Sequence, residues 1–324
     1  MKNEQLLSIS DVTKTFAGKN SKSPVHAVDG VSFTLNKGET LGIVGESGSG
    51  KSTLGRVILN LLPPTSGSIH FNSLDLSTLS ARELRSARRE MQMIFQDPFS
   101  SLDPRMKVGE LIQEPLDIHK IGTQAERAAL VLKIVESVGL SPEAIDRYPH
   151  EFSGGQRQRI AIARAIITKP KLIVADEPVS ALDVSIQSQI LNLLLQLQRE
   201  LGLAYIFISH DLSVVEHVAD KIMVLYLGKV VECGTIDEIF NNPTHPYTRA
   251  LISAIPQINP EDRTQRTVLT GDIPSPADRP TGCHFHPRCA FAVDACRITS
   301  PELLPLTNQP SHSVSCHVFN GDSQ

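Results

Sequence analysis

GESGSGKST, Gly45 through Thr53, fits the phosphate-loop pattern G-x-x-x-x-G-K-[ST]. The apolar run Leu41-Gly42-Ile43-Val44 before it reads as a buried strand, and Leu54, Val57, Ile58 and Leu61 after it recur at helical spacing. Strand, loop and helix in that order are the context such a loop requires. Glycines at 45, 48 and 50 let the backbone N–H groups of the stretch Gly45, Glu46, Ser47, Gly48, Ser49, Gly50 turn toward an anion. The following helix adds the partial positive charge of its N-terminus. Lys51 is placed to reach the β- and γ-phosphates of a nucleoside triphosphate, and Ser52, followed by Thr53, to hold Mg²⁺.

Outward from the loop, residues 5–16 and 25–35 alternate as strands of an antiparallel edge sheet, and the insert 18–24 (GKNSKSP) reads as loop. The helix after the phosphate loop runs to about Leu62, where Pro63-Pro64 stops it. A polar helix over 81–90 turns Arg82, Arg85, Arg88 and Arg89 to solvent, and Met91 to Phe95 form a strand ending at Gln96. Helices over 108–118, 124–138 and 156–168 are too many for a simple crossover and predict an inserted helical subdomain, about 97–168. Strands at 171–175, 204–209 and 221–227 then alternate with helices at 184–201 and 212–219, as in a mainly parallel sheet covered on both faces. After Ile255 prolines crowd the chain and apolar periodicity fades, so 256–324 reads as a loop-rich appendage to a main domain over 1–255.

The 324 residues carry a formal net charge of −4, with no basic excess of the kind nucleic-acid binding favours. No apolar run reaches the roughly 20 residues of a membrane span, and the first residues, MKNEQLLSIS, lack the apolar segment of a secretory signal. Any membrane role is therefore expected to be peripheral, from the cytoplasm.

The strand Lys171-Leu-Ile-Val-Ala-Asp176 runs straight into Glu177. Carboxylates at the C-terminal end of a strand point into the crevice where α/β sheets bind ligands. Asp176 suits a Mg²⁺ contact and Glu177 a general base that polarises attacking water. Ser153-Gly154-Gly155-Gln156 opens a helix and offers a second anion site. Asp183 follows the acidic strand closely, and His210 directly follows the strand 205–209, at the same edge of the expected sheet.

Together these motifs make residues 5–255 resemble the ATP-binding subunit of an ABC transporter. The resemblance implies a P-loop NTPase fold of the ABC ATPase type, with an antiparallel β edge subdomain and a helical insert, hydrolysing ATP to drive transport. It implies that Phe16 stacks on adenine, that Gln96 senses Mg²⁺ and contacts a membrane partner, that Ser153–Gln156 is the signature with Phe152 replacing its leucine, and that Asp183 and His210 are the D-loop and switch residues. In that family two ATPase chains stack head to tail, each ATP lying between one chain's phosphate loop and the other's signature. A soluble ABC-type ATPase acting on nucleic acid or ribosomes is the alternative; it is disfavoured by the single phosphate loop and the acidic charge.

Further stretches, 95–104 (FQDPFSSLDP), 147–151 (RYPHE) and 245–249 (HPYTR), resemble the dipeptide/oligopeptide/nickel importer group, and its F-type subunit most of all. That resemblance implies a second, different ATPase chain, two integral membrane permease subunits, an extracytoplasmic solute-binding protein, and a place on the cytoplasmic face of the inner membrane. The tail cysteines Cys283, Cys289, Cys296 and Cys316 are spaced C-x₅-C-x₆-C-x₁₉-C, which fits no standard zinc-finger spacing. Four thiolates can hold a 4Fe–4S cluster, as in members of this group; zinc with help from His284, His286, His312 or His317, and reduced thiols without metal, stay open. Cys233, outside the cluster, reads as an ordinary small apolar residue.

Overall fold

A computed structural model describes residues 4–17, 24–255, 269 and 271–319. Residues 18–23 of the expected loop and much of the early tail lie outside the described residues. In chain order the elements are β1 (Gln5–Phe16), β2 (Val25–Asn36), β3 (Thr40–Val44), α1 (Lys51–Ile58), β4 (Ser66–Phe71), β5 (Leu74–Asp75), α2 (Ala81–Arg89), β6 (Met91–Ile94), α3 (Pro98–Ser101), α4 (Val108–Ile118), α5 (Gln124–Ser137), α6 (Gly154–Ile166), β7 (Leu172–Asp176), α7 (Val184–Leu201), β8 (Ala204–Ser209), α8 (Leu212–Val218), β9 (Lys221–Tyr226), β10 (Lys229–Thr235), α9 (Ile236–Asn241), α10 (Pro246–Ser253), α11 (Asp294–Ile298), β11 (Leu304–Leu306) and β12 (Gln309–Val314). Strands β1, β2, β4 and β5 form a sheet in the order β2-β1-β4-β5, with β4 and β5 antiparallel.

The chain divides into two compact units. The first is built on His70–Ile208, with the short segments Met1–Leu7 and Leu35–Glu39. Its centre is a parallel ladder in which β7 pairs with β6 on one side and β8 on the other. Every residue of β7 and β8 is buried, the continuous apolar pattern of strands covered on both faces. Helix α4 buries Val108, Leu111, Ile112 and Leu116, and α6 buries Ile160, Ile162 and Ile166. Ser80 with Glu83 and Thr123 with Glu126 close capping boxes that fix where α2 and α5 begin.

The second unit comprises Ser8–Thr34, Thr40–Ile69 and Ser209–Gln324. Here the fully buried β3 pairs in parallel with β9. The expected parallel sheet then changes sense, because β9 turns straight back into β10, antiparallel. The turn is Leu227-Gly228, both left-handed, at φ 45° and 84°. Tail strand β12 adds to β10, again antiparallel, and β11 to β12. Among its described residues the expected loop-rich tail thus contains two strands, joined to this unit by main-chain pairing, and the short helix α11. Among the described residues no helix is long and apolar enough to cross a membrane.

Two helix boundaries differ from the sequence reading. Helix α1 ends at Ile58, well before Pro63, because Asn60 takes a left-handed backbone at φ 49°. Helix α6 starts at Gly154 and not at 156, because Ser153 is its N-cap and pairs with Gln156 in a capping box.

Candidate nucleotide site

The phosphate loop belongs to the second unit. Two of its glycines are there for space as well as conformation. A Cβ on Gly45 (φ 152°) would lie 2.2 Å from the Leu225 carbonyl oxygen, and one on Gly50 (φ 103°) 2.0 Å from that of Ala27. Both neighbours are backbone and cannot step aside, so any side chain would close the cradle. Lys51 is 5% exposed, and its Nζ donates to the carbonyl oxygens of Gly45 (2.7 Å) and Glu46 (2.9 Å). The ammonium is thereby held against the loop it must serve. The Oγ of buried Ser49 has no hydrogen-bond partner, and a buried hydroxyl left so is open to a ligand oxygen. Glycine cradle, ammonium and unpartnered hydroxyl together fit a triphosphate with its Mg²⁺.

Outer contacts steady the loop. The Gly228 N–H, in the β9–β10 turn, donates to the Ser49 carbonyl at 2.9 Å. The Glu46 N–H donates to the Tyr247 hydroxyl at 2.8 Å. The Glu46 carboxylate accepts both terminal nitrogens of Arg288, at 2.6 and 3.0 Å. In the same unit Phe16 ends β1 with its ring 37% exposed and the Lys14 ammonium 5.3 Å from its centroid. His210 is exposed directly after β8.

The first unit carries the carboxylates. Asp176, 2% exposed, ends β7. Glu177 follows in a left-handed backbone, φ 47°, a conformation that costs a non-glycine residue on the order of 1–3 kcal/mol. The Glu177 N–H donates to the Ile208 carbonyl at 2.9 Å, which holds the bend. The bend turns the side chain out of the strand's alternation, where Gln96 Nε2 donates to Glu177 Oε2 at 3.0 Å. The structure thus brings together Gln96, at the end of β6, and Glu177, at the end of β7.

The signature also lies in this unit. Ser153 N–H donates to Gln156 Oε1 at 3.0 Å, and Gln156 N–H to Ser153 Oγ at 3.4 Å. A Cβ on Gly155 would stand 2.5 Å from Ile186 Cγ2 of α7, so close helix packing requires glycine there. Phe152 is 5% exposed under the Arg147 guanidinium, 4.6 Å from the ring centroid. It therefore fills a buried place and adds a cation–π contact that an aliphatic residue would lack. Asp183 is the exposed N-cap of α7, its side chain making no cap hydrogen bond.

In the tail, burial pushes the Cys283 thiol up to about 11, with Cys296, Cys316 and Cys289 adding to the rise; burial also raises Cys289 and Cys316. The Cys283 N–H donates to the Cys296 carbonyl at 2.8 Å, which brings two of the four cysteines together. Among the described residues no group of three or more His, Cys, Asp or Glu side chains is arranged to hold a metal ion. Three of the four tail histidines are engaged elsewhere: His312 Nε2 lies 2.7 Å from Glu232 Oε1, both side chains fully buried, and His286 and His317 meet the carbonyls of Cys283 and Thr299; the fourth, His284, has a buried Nδ1 without a hydrogen-bond partner. The thiol of Cys233, in β10, is raised to about 11 by burial.

Sequence reading missed the functional part of Tyr247 and Arg288. Tyr247 lies in the stretch 245–249 noted above, but Arg288 and Glu46 are 242 residues apart, beyond any local pattern.

Comparison with known proteins bears on this arrangement. The family described as "ABC transporter" matches residues 28–180, and that described as "Oligopeptide/dipeptide transporter, C-terminal region" matches 231–296. A "Putative peptide import ATP-binding protein" of Brucella ovis is 54% identical, covering 96% of this chain and 97% of its own. The "Oligopeptide transport ATP-binding protein AppF" of Bacillus subtilis is 51% identical, covering 98% of each. The "Dipeptide transport ATP-binding protein DppF" of Escherichia coli is 50% identical, covering 98% of this chain and 96% of its own. Among solved structures, the ATP-binding cassette MJ0796 bound to ADP and Pi superposes with a TM-score of 0.65 at 31% identity, over 71% of this chain and 99% of that one. The cbiO1 protein of Clostridium perfringens gives 0.66 at 28%, over 74% and 92%.

Proposed function

This chain belongs to the ABC transporter family of ATP-hydrolysing subunits, and from that premise we propose that it is the motor of an importer of di- or oligopeptides or a related small solute. What carries the reading is the buried ammonium of Lys51, held on the carbonyls of Gly45 and Glu46 beneath a loop with no room for side chains. The peptide assignment draws on the names of relatives that match over nearly the whole chain. The main domain is 1–255, with its helical part at about 97–168, and 256–324 is the group's C-terminal region.

Each residue then has a stated task. Phe16 stacks on adenine, and the loop Gly45–Thr53 binds the phosphates through its main chain and Lys51. Ser52, Asp176 and Gln96 would hold Mg²⁺, which would supply neutralisation of phosphate charge. Glu177 accepts a proton from the attacking water, and His210 contacts the γ-phosphate. Ser153, Gly154, Gly155 and Gln156, with Asp183, complete the site of a second ATPase chain, a different one in a heterodimer. ATP then favours the closed pair, and hydrolysis releases it, in proportion to its differential affinity for the two states. Two integral membrane permease subunits take up the motion, fed by an extracytoplasmic solute-binding protein, with this chain peripheral on the cytoplasmic face of the inner membrane.

Affinity purification of the native complex tests the assignment. Two permease chains, a second ATPase and peptide-stimulated ATP hydrolysis are expected. Copurifying RNA or ribosomes in place of permeases would overturn it in favour of the soluble alternative.

For Cys283, Cys289, Cys296 and Cys316 the reading is a 4Fe–4S cluster, with zinc as the alternative, supported by four thiols in one tail region and by the main-chain bond of 2.8 Å from the Cys283 N–H to the Cys296 carbonyl. A cluster would tie down the tail and takes no part in hydrolysis. Anaerobic purification is expected to give a brown chain with iron and acid-labile sulfide in equal amounts. Zinc instead would select the alternative, and a colourless, metal-free chain of full activity would overturn both.

A further inference from the structure

The C-terminal region is joined to the phosphate loop itself. Arg288 is 8% exposed, and its two terminal nitrogens grip both carboxylate oxygens of Glu46. A bidentate, charge-assisted pair of this kind fixes direction as well as distance. Glu46 is the first residue after the cradle's opening glycine, and its N–H is separately tied to Tyr247. Tyr247, fully buried, is wedged in an aromatic cluster whose ring centroids lie 4.8 Å (Tyr226) and 5.4 Å (Phe285) from its own. Phe285 comes from the tail and sits edge-on to Tyr226 at 5.3 Å. Side chain and main chain of Glu46 are thus both held, one by Arg288 and one by Tyr247.

The consequence falls on Lys51, whose ammonium rests on the carbonyls of Gly45 and Glu46. Fixing Glu46 fixes one of those two carbonyls. A second fastening lies behind the loop. Tail residue Arg279 donates to the Asp29 carboxylate at 2.8 Å, and the Asp29 N–H donates to the Gly228 carbonyl at 2.9 Å. Gly228 in turn holds the Ser49 carbonyl. The tail therefore reaches the loop at Glu46 and, through the β9–β10 turn, at Ser49.

We propose that Arg288 and Tyr247 are positioning residues of the ATPase site: they hold Glu46 so that the loop presents Lys51 and its N–H groups to the triphosphate, which makes nucleotide capture depend on the C-terminal region. The inference rests on the ATPase reading above. It separates the tail's effect from a general structural role, because it acts on a chosen step, the binding of MgATP. The loop grips the triphosphate in the ground state and the transition state alike, so slackening it is expected to be felt first in affinity, as a raised KM with kcat little changed.

The test uses the full chain in the assembled importer, with KM for ATP, kcat and thermal midpoint measured for Arg288→Gln, Arg288→Lys, Tyr247→Phe, Glu46→Gln and the double variant Arg288→Gln/Glu46→Gln. Arg288→Gln is expected to raise KM about tenfold with kcat changed much less. Tyr247→Phe keeps the ring but loses the hydroxyl, and is expected to raise KM about threefold, as for one lost hydrogen bond. Arg288→Lys keeps charge without the fork and should fall between wild type and Arg288→Gln. The double variant should be no worse than Arg288→Gln alone, because both changes remove one interaction. Unchanged KM in Arg288→Gln and Tyr247→Phe, or additive effects in the double variant, would overturn the proposal. If Arg288→Gln does not fold, the Tyr247→Phe and Glu46→Gln values decide by the same criterion. A wild-type complex that fails to turn over MgATP would instead overturn the ATPase reading.

Discussion

Glu177→Gln is expected to slow ATP hydrolysis by a factor of about 10²–10⁴ in the assembled complex, the range general bases commonly contribute, while MgATP still binds. Glutamine has the same size and can still accept the Gln96 Nε2 donation seen at 3.0 Å. The left-handed bend at Glu177 is held by its main-chain bond to Ile208, which the substitution leaves in place. Only the capacity to take a proton is lost. Affinity and turnover should therefore part company, with nucleotide trapped in an unhydrolysed state. Single-turnover hydrolysis together with equilibrium MgATP binding measures both quantities. Hydrolysis at the wild-type rate would show that another group is the base, and loss of binding would show that Glu177 serves mainly to hold the site together.

Lys51→Ala is expected to act one step earlier. The wild-type ammonium is already desolvated, 5% exposed between two carbonyls, so little further reorganisation is needed for it to meet phosphate oxygens. Removing it leaves the glycine cradle intact but takes away the charge-assisted bonds to the β- and γ-phosphates. MgATP affinity should fall by at least about tenfold, the equivalent of one charged hydrogen bond at roughly 1.5–3 kcal/mol, and turnover should fall to background. The Gly45 carbonyl that loses its donor is buried, so stability should also fall, by about 1–3 kcal/mol. Isothermal titration with MgATP and a urea denaturation curve distinguish lost capture from lost folding. Retained capture in a folded Lys51→Ala chain would remove the lysine from the triphosphate site.

The division of labour between these two variants follows from residues that could be read directly. The phosphate loop and the acidic strand end are continuous stretches whose chemistry is local, and β3 and β7 are buried apolar runs of the expected kind. Helices α4 and α7 and strand β8 fall on the expected residues, the helices from the spacing of their apolar positions and β8 from a short continuous apolar run. Three things were not legible, each for a physical reason. The β9–β10 hairpin turns through Leu227-Gly228, where an apolar residue takes the left-handed position that Asn or Asp would have advertised. The tail strands β11 and β12 are short and rich in proline and polar residues, and it is pairing, of β12 with β10 and of β11 with β12, that makes them strands. The Arg288–Glu46 fork joins two residues of the folded second unit that have no relation in sequence. The start of α6 was misread by two residues because the glycines of the signature weaken the helical pattern, while the Ser153–Gln156 capping box restores it.

MgATP turnover by the wild-type chain in its purified membrane complex, followed by phosphate release as ATP and Mg²⁺ are each varied, bears most directly on all of this. Saturable release that requires Mg²⁺ and rises when peptide-loaded binding protein is added is the expected result. A complex that is intact and transports solute, yet binds no triphosphate and releases no phosphate, would contradict it.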